Sequence, residues 1–598
     1  MSEQLKKVAT DIKSFSDFII NDCYYVDKTK YIKTIMEDGS ASILFTRPRR
    51  FGKSITISML QSFLEMNYEN PSDKSKQIAL FKDTEIFKDK EFCNKYMGQY
   101  PVIYLSFKEA WDTNSYEDAL QSLYEELSNS VKKFNFLLSY DKFTENQLQN
   151  LNNILTISNN ALDPVKKKAV AERMIRELTQ DLLVYTGKEC IVLIDEYDVP
   201  LSKAANTDFY QKIRDFISKL FSSALKNNES LKKGIITGCL RVAKESIFTG
   251  LNNFYSCGLD NYDYSKLFGF TIDEVKTMLS YYGLDDRYAE YKEWYDGYHI
   301  GDDDIFCPWD VISRTKAILV SPKLEPKSYW GGTGNIKDLQ NMFANNPKAY
   351  AQNFETLLNG GSIIITVNND INYEILGKSK NINHFWSLMF SSGYLTYKNV
   401  IQSDDGTSKA ELVIPNKSVR TELKNVIDWY FSTENTKYVE SLQDLLFNLK
   451  QTDPSYLEDY LQQALVANVS IYDTQKGTDK ESMYHAFLNG RLSGILDPYE
   501  NEYSSNAELG DGRADFSFIL KLDDNRPSSK VGFIIEIKAA QSMEQMGPLS
   551  KEAIEQVKKK NYVQAMFRIY GTIKEIRVFG IAFYKKTGRV EFEKIVRT

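Results

Sequence analysis

Ser42-Ile43-Leu44-Phe45-Thr46 runs directly into Arg47-Pro48-Arg49-Arg50-Phe51-Gly52-Lys53-Ser54, and the residues from Ile55 to Phe63 carry apolar side chains at helical spacing. A short buried strand, a loop and a helix form the context in which Gly-Lys-Ser binds phosphate. Backbone N–H groups at the helix N-terminus face the anion, the lysine reaches the β- and γ-phosphates, and the hydroxyl ligates magnesium. Gly52, Lys53 and Ser54 are therefore candidates for holding a nucleotide, although the full pattern asks for glycine where this chain has Arg47.

A second element restores the reading. Cys190-Ile191-Val192-Leu193-Ile194-Asp195-Glu196 is an apolar strand closed by two acids, about 140 residues further on. In that arrangement Asp195 supports magnesium and Glu196 polarises the attacking water. A third strand, Lys233 to Gly238, ends on Thr237, a candidate sensor of the γ-phosphate. Arg241, Arg49 and Arg50 are candidates for meeting phosphate charge, and each equally suits a pairing with a nearby carboxylate. Strands alternating with helices through this half predict a parallel sheet with helices on both faces, a P-loop NTPase type of α/β fold that takes ATP and Mg²⁺.

Near the other end, Val531-Gly532-Phe533-Ile534-Ile535-Glu536-Ile537-Lys538 follows Gly510-Asp511-Gly512-Arg513-Ala514-Asp515. A strand has a side-chain period of two, so Glu536 and Lys538 share one face while Ile535 and Ile537 enter the core. A preceding strand from Asp515 to Leu520, joined through a polar turn from Lys521 to Lys530, brings the Asp515 carboxylate beside them. Two carboxylates and a lysine at one strand edge can hold a divalent metal next to a phosphodiester. A surface hairpin with a solvated ion pair is the alternative. Glu-x-Lys recurs at Glu274-Val275-Lys276 and Glu422-Leu423-Lys424, but both copies sit in helical segments, where residues two apart do not face each other.

Composition narrows the chemistry. The 598 residues are 42% hydrophobic and 26% charged, which fits a multidomain globular protein with ample core. No run approaches the roughly twenty apolar residues of a membrane span, and the N-terminus lacks an apolar signal region, so a cytoplasmic protein without a membrane partner is expected. The six cysteines show no C-x-x-C pair, and His299, His384 and His485 are the only histidines. Metal chemistry here should use carboxylates and other oxygens, which favours magnesium over zinc. The net charge is −7, yet residues 530–598 hold fourteen Lys and Arg against seven Asp and Glu, including Lys558, Lys559 and Lys560 in a row. A lysine run is ordinarily a solvated helix face; beside a phosphodiester site it also suits nucleic acid.

Taken together, these motifs resemble the AAA-ATPase-like proteins that carry a C-terminal PD-(D/E)XK nuclease-like domain. The resemblance rests on Tyr25-Val26-Asp27-Lys28-Thr29, Arg47 to Ser54, Ile194-Asp195-Glu196-Tyr197-Asp198, Thr237-Gly238, Lys244 to Asn253 and Trp294-Tyr295-Asp296-Gly297-Tyr298. In the C-terminal part it rests on Glu481 and His485, Gly512-Arg513-Ala514-Asp515, Glu536-Ile537-Lys538, and Gln556 with Tyr562. It makes the Arg-Pro-Arg-Arg-Phe-Gly-Lys form a family variant of the phosphate loop. It implies that Asp515 and Glu536 bind magnesium, that Lys538 positions or activates water, and that Glu481 adds a metal contact. It also implies that Gln556 and Tyr562 contact DNA or brace the site, with Lys558 and Lys559 beside them. DNA is favoured over RNA by this analogy, and a homo-oligomer is a possible state because AAA-type ATPases often assemble.

The expected organisation is an ATPase-like domain over 1–260, a helical lid over 261–345, a winged-helix-like or mixed module over 346–450, and a restriction-endonuclease-like α/β domain over 451–598. Thr271 should N-cap the lid helix, and Asp296 and Trp309 read more readily as a turn former and a core residue than as site residues. The function expected is an ATPase coupled to a magnesium-dependent nuclease. The alternative is a regulatory NTPase switch whose C-terminal domain binds nucleic acid without cutting it.

Overall fold

The strands expected at Ser42, Cys190 and Lys233 all form, and they lie side by side in one parallel sheet. In the computed structural model the described residues are 5–108, 115–159, 162–205, 207–240, 254–259, 261–330, 347–358, 360–367, 381–402, 408–432, 454–468, 480–493, 496, 501–521 and 530–597. Strands β1 (Ser42–Thr46), β2 (Val102–Ser106), β3 (Cys190–Asp195), β4 (Leu231–Gly238) and β5 (Phe254–Cys257) run in the order β2-β3-β4-β1-β5. Every residue of β1 and β3 is buried, which is why both read as unbroken apolar runs and not as alternating ones. Because β4 is inserted between β1 and β3, the loop after β1 and the tips of β3 and β4 meet at one end of the sheet. In open parallel sheets that carboxyl end is where ligands bind.

Helices flank this sheet, and their ends follow local rules. The helix Lys53–Leu64 buries Thr56, Ile57, Met59, Leu60, Phe63 and Leu64, the stripe an amphipathic helix presents to a core. The helix Pro164–Thr186 opens on an Asp163 cap with proline in its first turn and closes on Gly187 in the left-handed conformation.

Residues 261–330 depart from a purely helical lid. The helices Ile272–Tyr281, Tyr288–Tyr295 and Pro308–Val320 are joined by a small antiparallel sheet, β6 (Phe270–Thr271), β7 (Tyr298–Ile300) and β8 (Asp303–Phe306), in the order β6-β8-β7. Strands of two to four residues are too short to show a period in the sequence. Thr271 caps its helix as expected, in a capping box with Glu274. Further on, β9 (Ile363–Thr366), β10 (Thr396–Gln402) and β11 (Ser408–Val413) make a three-stranded sheet in which β10 and β11 are antiparallel.

The chain forms two compact units, Met1–Leu339 with Ile364–Val419, and Gln340–Ile363 with Arg420–Thr598. The second is built on a mixed sheet of β12 (Ser504–Leu509), β13 (Gly512–Lys521), β14 (Lys530–Ala539), β15 (Glu575–Tyr584) and β16 (Thr587–Val596), which lie in chain order. Only β14 and β15 are parallel, and the helices Met543–Lys559 and Tyr562–Ile569 make the crossover that a parallel pair requires. Alternate β14 residues Val531, Phe533, Ile535 and Ile537 enter a core with Leu461 and Leu488, whereas Ile534 faces Val557 and Met566. β14 is thus buried on both faces, each large apolar side chain contributing about 1.5–3 kcal/mol.

No helix among the described residues is long and apolar enough to cross a membrane. All six cysteines are free thiols, five of them buried.

Candidate functional site

In the first unit the loop after β1 is held by buried side-chain anchors together with one glycine in the left-handed conformation. Arg47 is fully buried, and its guanidinium donates to the carbonyls of Thr46, Cys257, Gly258 and Tyr264 at 2.7–3.1 Å. It therefore ties the end of β1 to the end of β5 and is not turned toward a ligand. Phe51 is buried against Tyr298, with ring centroids 4.9 Å apart. Gly52 caps the following helix at φ +83°, a left-handed conformation that only glycine adopts without strain. Lys53 is therefore the first helical residue, with Ser54 half-buried beside it.

The Lys53 ammonium donates to the carbonyls of Arg47 and Pro48 at 3.0 and 2.9 Å and lies 3.5 Å from Cys239 Sγ. At the tip of β3, Asp195 is fully buried; its Oδ1 accepts the Thr237 hydroxyl at 2.5 Å, and its Oδ2 has no hydrogen-bond partner. Thr237, expected as a phosphate sensor, is itself buried and held on Asp195. Glu196 leaves the strand at φ +53°, a strained backbone of the kind that collects at functional sites. Burial pushes its carboxyl pKa up, and the nearby Lys53 charge opposes that rise.

Arg50, at φ +71°, places its guanidinium 3.7 Å from the centre of the Trp309 ring, and Trp309 Nε1 donates to the Tyr329 carbonyl at 2.9 Å. Trp309 is thus a platform for the loop arginine, a role that its aromatic character alone did not signal. Asp198, which the motif Ile194 to Asp198 includes without a role, accepts the N–H groups of Cys239 and Leu240 on its carboxylate and so shapes the tip of β4. The third acid of Asp195-Glu196-Tyr197-Asp198 was the available signal. Asp296 is buried, with its carboxyl pKa raised by burial. Arg241 and the whole Lys244 to Asn253 motif lie outside the described residues.

In the second unit the register of β13 on β14 pairs Phe516 with Ile535, which places Asp515 opposite Glu536. Asp515 Oδ2 accepts the Ile537 N–H at 2.8 Å, and the Asp515 N–H points to Glu536 Oε2 at 3.4 Å. Glu536 is buried, and its other oxygen accepts the Gln556 side-chain amide. Burial, with the Asp515 carboxylate next, pushes the Glu536 carboxyl up to about 8, and burial also raises Asp515. Lys538 lies 3.9 Å from Glu481, at the start of the helix Lys480–Ser493. One turn along, the buried His485 stacks on Phe516 with ring centroids 4.3 Å apart, its Nε2 3.3 Å from the Asp515 carbonyl.

Five of the expected residues therefore converge: Glu481, Asp515, Glu536, Lys538 and Gln556. Tyr562 is buried and donates its hydroxyl to the Arg513 carbonyl at 2.7 Å, bracing the turn before Asp515. Of the two expected lysines, Lys558 pairs with Glu593 at 2.8 Å and Glu555 at 3.2 Å, while Lys559 is exposed.

Among the described residues no three His, Cys, Asp or Glu side chains gather to hold a metal unaided. A buried carboxylate, Glu536, beside the half-buried Asp515 at one centre, and one buried carboxylate with an unpartnered oxygen at the other, nonetheless fit a hard divalent cation. Magnesium is commonly held by one or two carboxylates and completed by water and substrate phosphate.

Two family models match the chain. Residues 9–248 match one described as predicted AAA-ATPase, and residues 479–593 match one described as PD-(D/E)XK nuclease superfamily. An uncharacterised protein from the vnfD 5′ region of Azotobacter chroococcum mcd 1 is 25% identical over 427 residues, covering 71% of this chain and 70% of that protein.

Proposed function

We propose that this chain, which joins an AAA-ATPase-like domain to a C-terminal domain of the PD-(D/E)XK nuclease superfamily, hydrolyses ATP in the first and cleaves phosphodiester bonds in the second. The two steps are coupled, magnesium serves both, and DNA is the favoured substrate over RNA. The observation that carries this reading is the pairing of Asp515 with Glu536 across β13 and β14, fixed by the Ile537 N–H and backed by Gln556.

At the nucleotide site, Lys53 exchanges its loop carbonyls for β- and γ-phosphate oxygens, and the Gly52–Ser54 backbone faces the same charge. Ser54 and Asp195 Oδ2 hold magnesium, with Thr237 keeping Asp195 in place. Glu196 orients and deprotonates the attacking water. Arg49, Arg50 and Arg241 meet phosphate charge, Arg50 by leaving the Trp309 ring.

At the nuclease site, Asp515 and Glu536 hold magnesium, and Glu481 adds an outer contact. Magnesium, when bound, supplies positive charge to the scissile phosphate and acidifies water. Lys538 directs its ammonium charge to the water and the phosphate. Gln556 fixes the rotamer of Glu536, Tyr562 braces the Asp515 turn, and Lys558 and Lys559 border the path of the nucleic acid. In this reading the chain divides at 1–260, 261–345, 346–450 and 451–598, with a winged-helix-like third part, and works in the cytoplasm, with homo-oligomerisation open to it.

Incubating the full chain with plasmid, linear DNA and RNA in Mg²⁺, with and without ATP, beside Lys53→Ala, tests the coupling. DNA cleavage that ATP alters in wild type and leaves unaltered in Lys53→Ala supports it. ATP hydrolysis with nucleic acid bound but uncut would replace it with the regulatory switch.

A further inference from the structure

Arg47, Arg50 and Lys53, three cations of the loop after β1 and its helix, are each engaged by the chain itself. The Arg47 and Lys53 side chains are held by backbone carbonyls. Arg50 is held differently, by the first turn of the helix Pro308–Val320: its guanidinium lies 3.7 Å from the centre of the Trp309 ring. The indole is itself fixed, through the donation from Nε1 to the Tyr329 carbonyl at 2.9 Å. Both side chains are half-buried, so the contact sits where solvent and a ligand still reach it.

The backbone beneath this contact is pinned as well. Cys307, the residue before that helix, places its thiol 4.0 Å from the Arg50 carbonyl oxygen. The Gly269 N–H donates to the Phe51 carbonyl at 3.2 Å, and the Phe51 ring packs on Tyr298. A left-handed backbone such as that of Arg50, at φ +71°, persists only where its surroundings over-determine it. With the backbone fixed, a change of side-chain rotamer is all that parts Arg50 from the ring.

Asp310 gives the contact its direction. It is fully buried and follows Trp309 in the chain. Burial lowers the Arg50 pKa; Cys307 and Asp310 oppose that effect, and the Arg49 charge adds to it. Drawing Arg50 away therefore costs the ring contact and part of the charge compensation at Asp310. A phosphate has to compete with both before Arg50 can serve it.

We propose that Trp309 is a positioning residue that holds Arg50 back from the phosphates, so that nucleotide binding competes with the helix Pro308–Val320 for this one arginine. The inference rests on the nucleotide reading of Lys53 and Ser54 and adds the regulation of that site: loss of the ring, or withdrawal of its helix, frees Arg50 and tightens ATP.

The test is a double-mutant cycle on the full-length protein, with Trp309→Leu, Arg50→Gln and the two combined. Affinities for ATP and for adenosine are read by titration calorimetry in Mg²⁺, and thermal melts check folding. A cation on an aromatic face changes an equilibrium by about two- to thirtyfold, and Trp309→Leu should bind ATP more tightly by about that factor. Trp309→Phe, which keeps a smaller ring and serves should the leucine variant not fold, should lie between wild type and Trp309→Leu. Adenosine, which carries no phosphate, should bind these proteins no differently from wild type. In the Arg50→Gln background the gain from Trp309→Leu should vanish, a result that a merely structural ring would not give. ATP bound no more tightly by the folded Trp309 variants, a gain that persists without Arg50, or a gain shared by adenosine overturns the proposal and leaves the nucleotide reading intact. Wild type that binds no ATP, or whose ATP affinity is unchanged in Lys53→Ala, overturns the nucleotide reading and the restraint on Arg50 with it.

Discussion

Thr237 on β4 donates its hydroxyl hydrogen to Asp195 Oδ1 on β3 at 2.5 Å, with both side chains fully buried. The bond crosses two neighbouring parallel strands at their carboxyl ends, and it leaves Asp195 Oδ2 as the oxygen without a partner. In the proposed nucleotide site Thr237 therefore works through Asp195, a geometry distinct from direct contact with phosphate.

Thr237→Val keeps the volume and removes that bond. A buried hydrogen bond to a charged group is worth about 1.5–3 kcal/mol, so the variant should unfold at a lower temperature. Its ATP turnover should fall about tenfold or more, equivalent to about 1.4 kcal/mol, and need more Mg²⁺ to saturate. Thr237→Ser should recover most of the turnover. Equal Mg²⁺ dependence in wild type and valine variant, measured by phosphate release, would show that the bond does not position Asp195.

Gly580 lies where the helix Met543–Lys559 meets β15, and a Cβ there would stand 2.2 Å from the Ser550 carbonyl oxygen. Gly580→Ala must push the helix off the sheet, costing about 1–3 kcal/mol and withdrawing Gln556 from Glu536. Thermal melts should show the loss, and cleavage should fall by more than Gln556→Ala alone produces.

Mg²⁺ should stabilise the chain through the Asp515 and Glu536 pair even in Lys53→Ala. At a hundred times its dissociation constant an ion bound only to the folded state adds about 2.7 kcal/mol. Calorimetric melts with and without Mg²⁺ read this directly. A shift that remains in Asp515→Asn combined with Glu536→Gln places the ion elsewhere.

Asp181, on the helix Pro164–Thr186, is pushed up to about 6 by burial and then by Glu177. The folded state therefore holds this proton more tightly than the unfolded chain, whose Asp titrates near 3.9. Its favourable contribution is complete below about pH 4, declines as pH rises, and is gone above about pH 6. Asp181→Asn should gain stability relative to wild type across that window, as read by denaturant midpoints at pH 4, 5, 6 and 7. A constant difference between the two proteins contradicts the assignment.

Much of this was legible because burial on both faces leaves a mark in sequence. β1, β3 and β14 read as strands because neither face meets water, and the acids that close or interrupt such runs stand out against them. Asp515 and Glu536 were legible as a pair because register follows from the alternation. The decoy copy at Glu274 is a capping-box residue paired with the buried Lys28 at 2.7 Å. What stayed hidden depended on distant partners. Arg47 reads as a lost glycine until its carbonyl partners on β5 are seen, and Trp309 reads as core until Arg50 lies on it. The short strands β6 to β8 carry no period to detect.

The central claim is that Asp515, Glu536 and Lys538 form a working phosphodiesterase centre. Its most direct measurement is conversion of supercoiled plasmid to nicked and linear forms by the full chain in Mg²⁺ and ATP, beside Asp515→Ala and Lys538→Ala. The account predicts cleavage by wild type, abolished by EDTA and reduced at least about a hundredfold in both variants, a change of about 2.7 kcal/mol in the barrier. Undiminished cleavage in Asp515→Ala, or none by wild type across Mg²⁺ and Mn²⁺ while ATP is turned over, would contradict it.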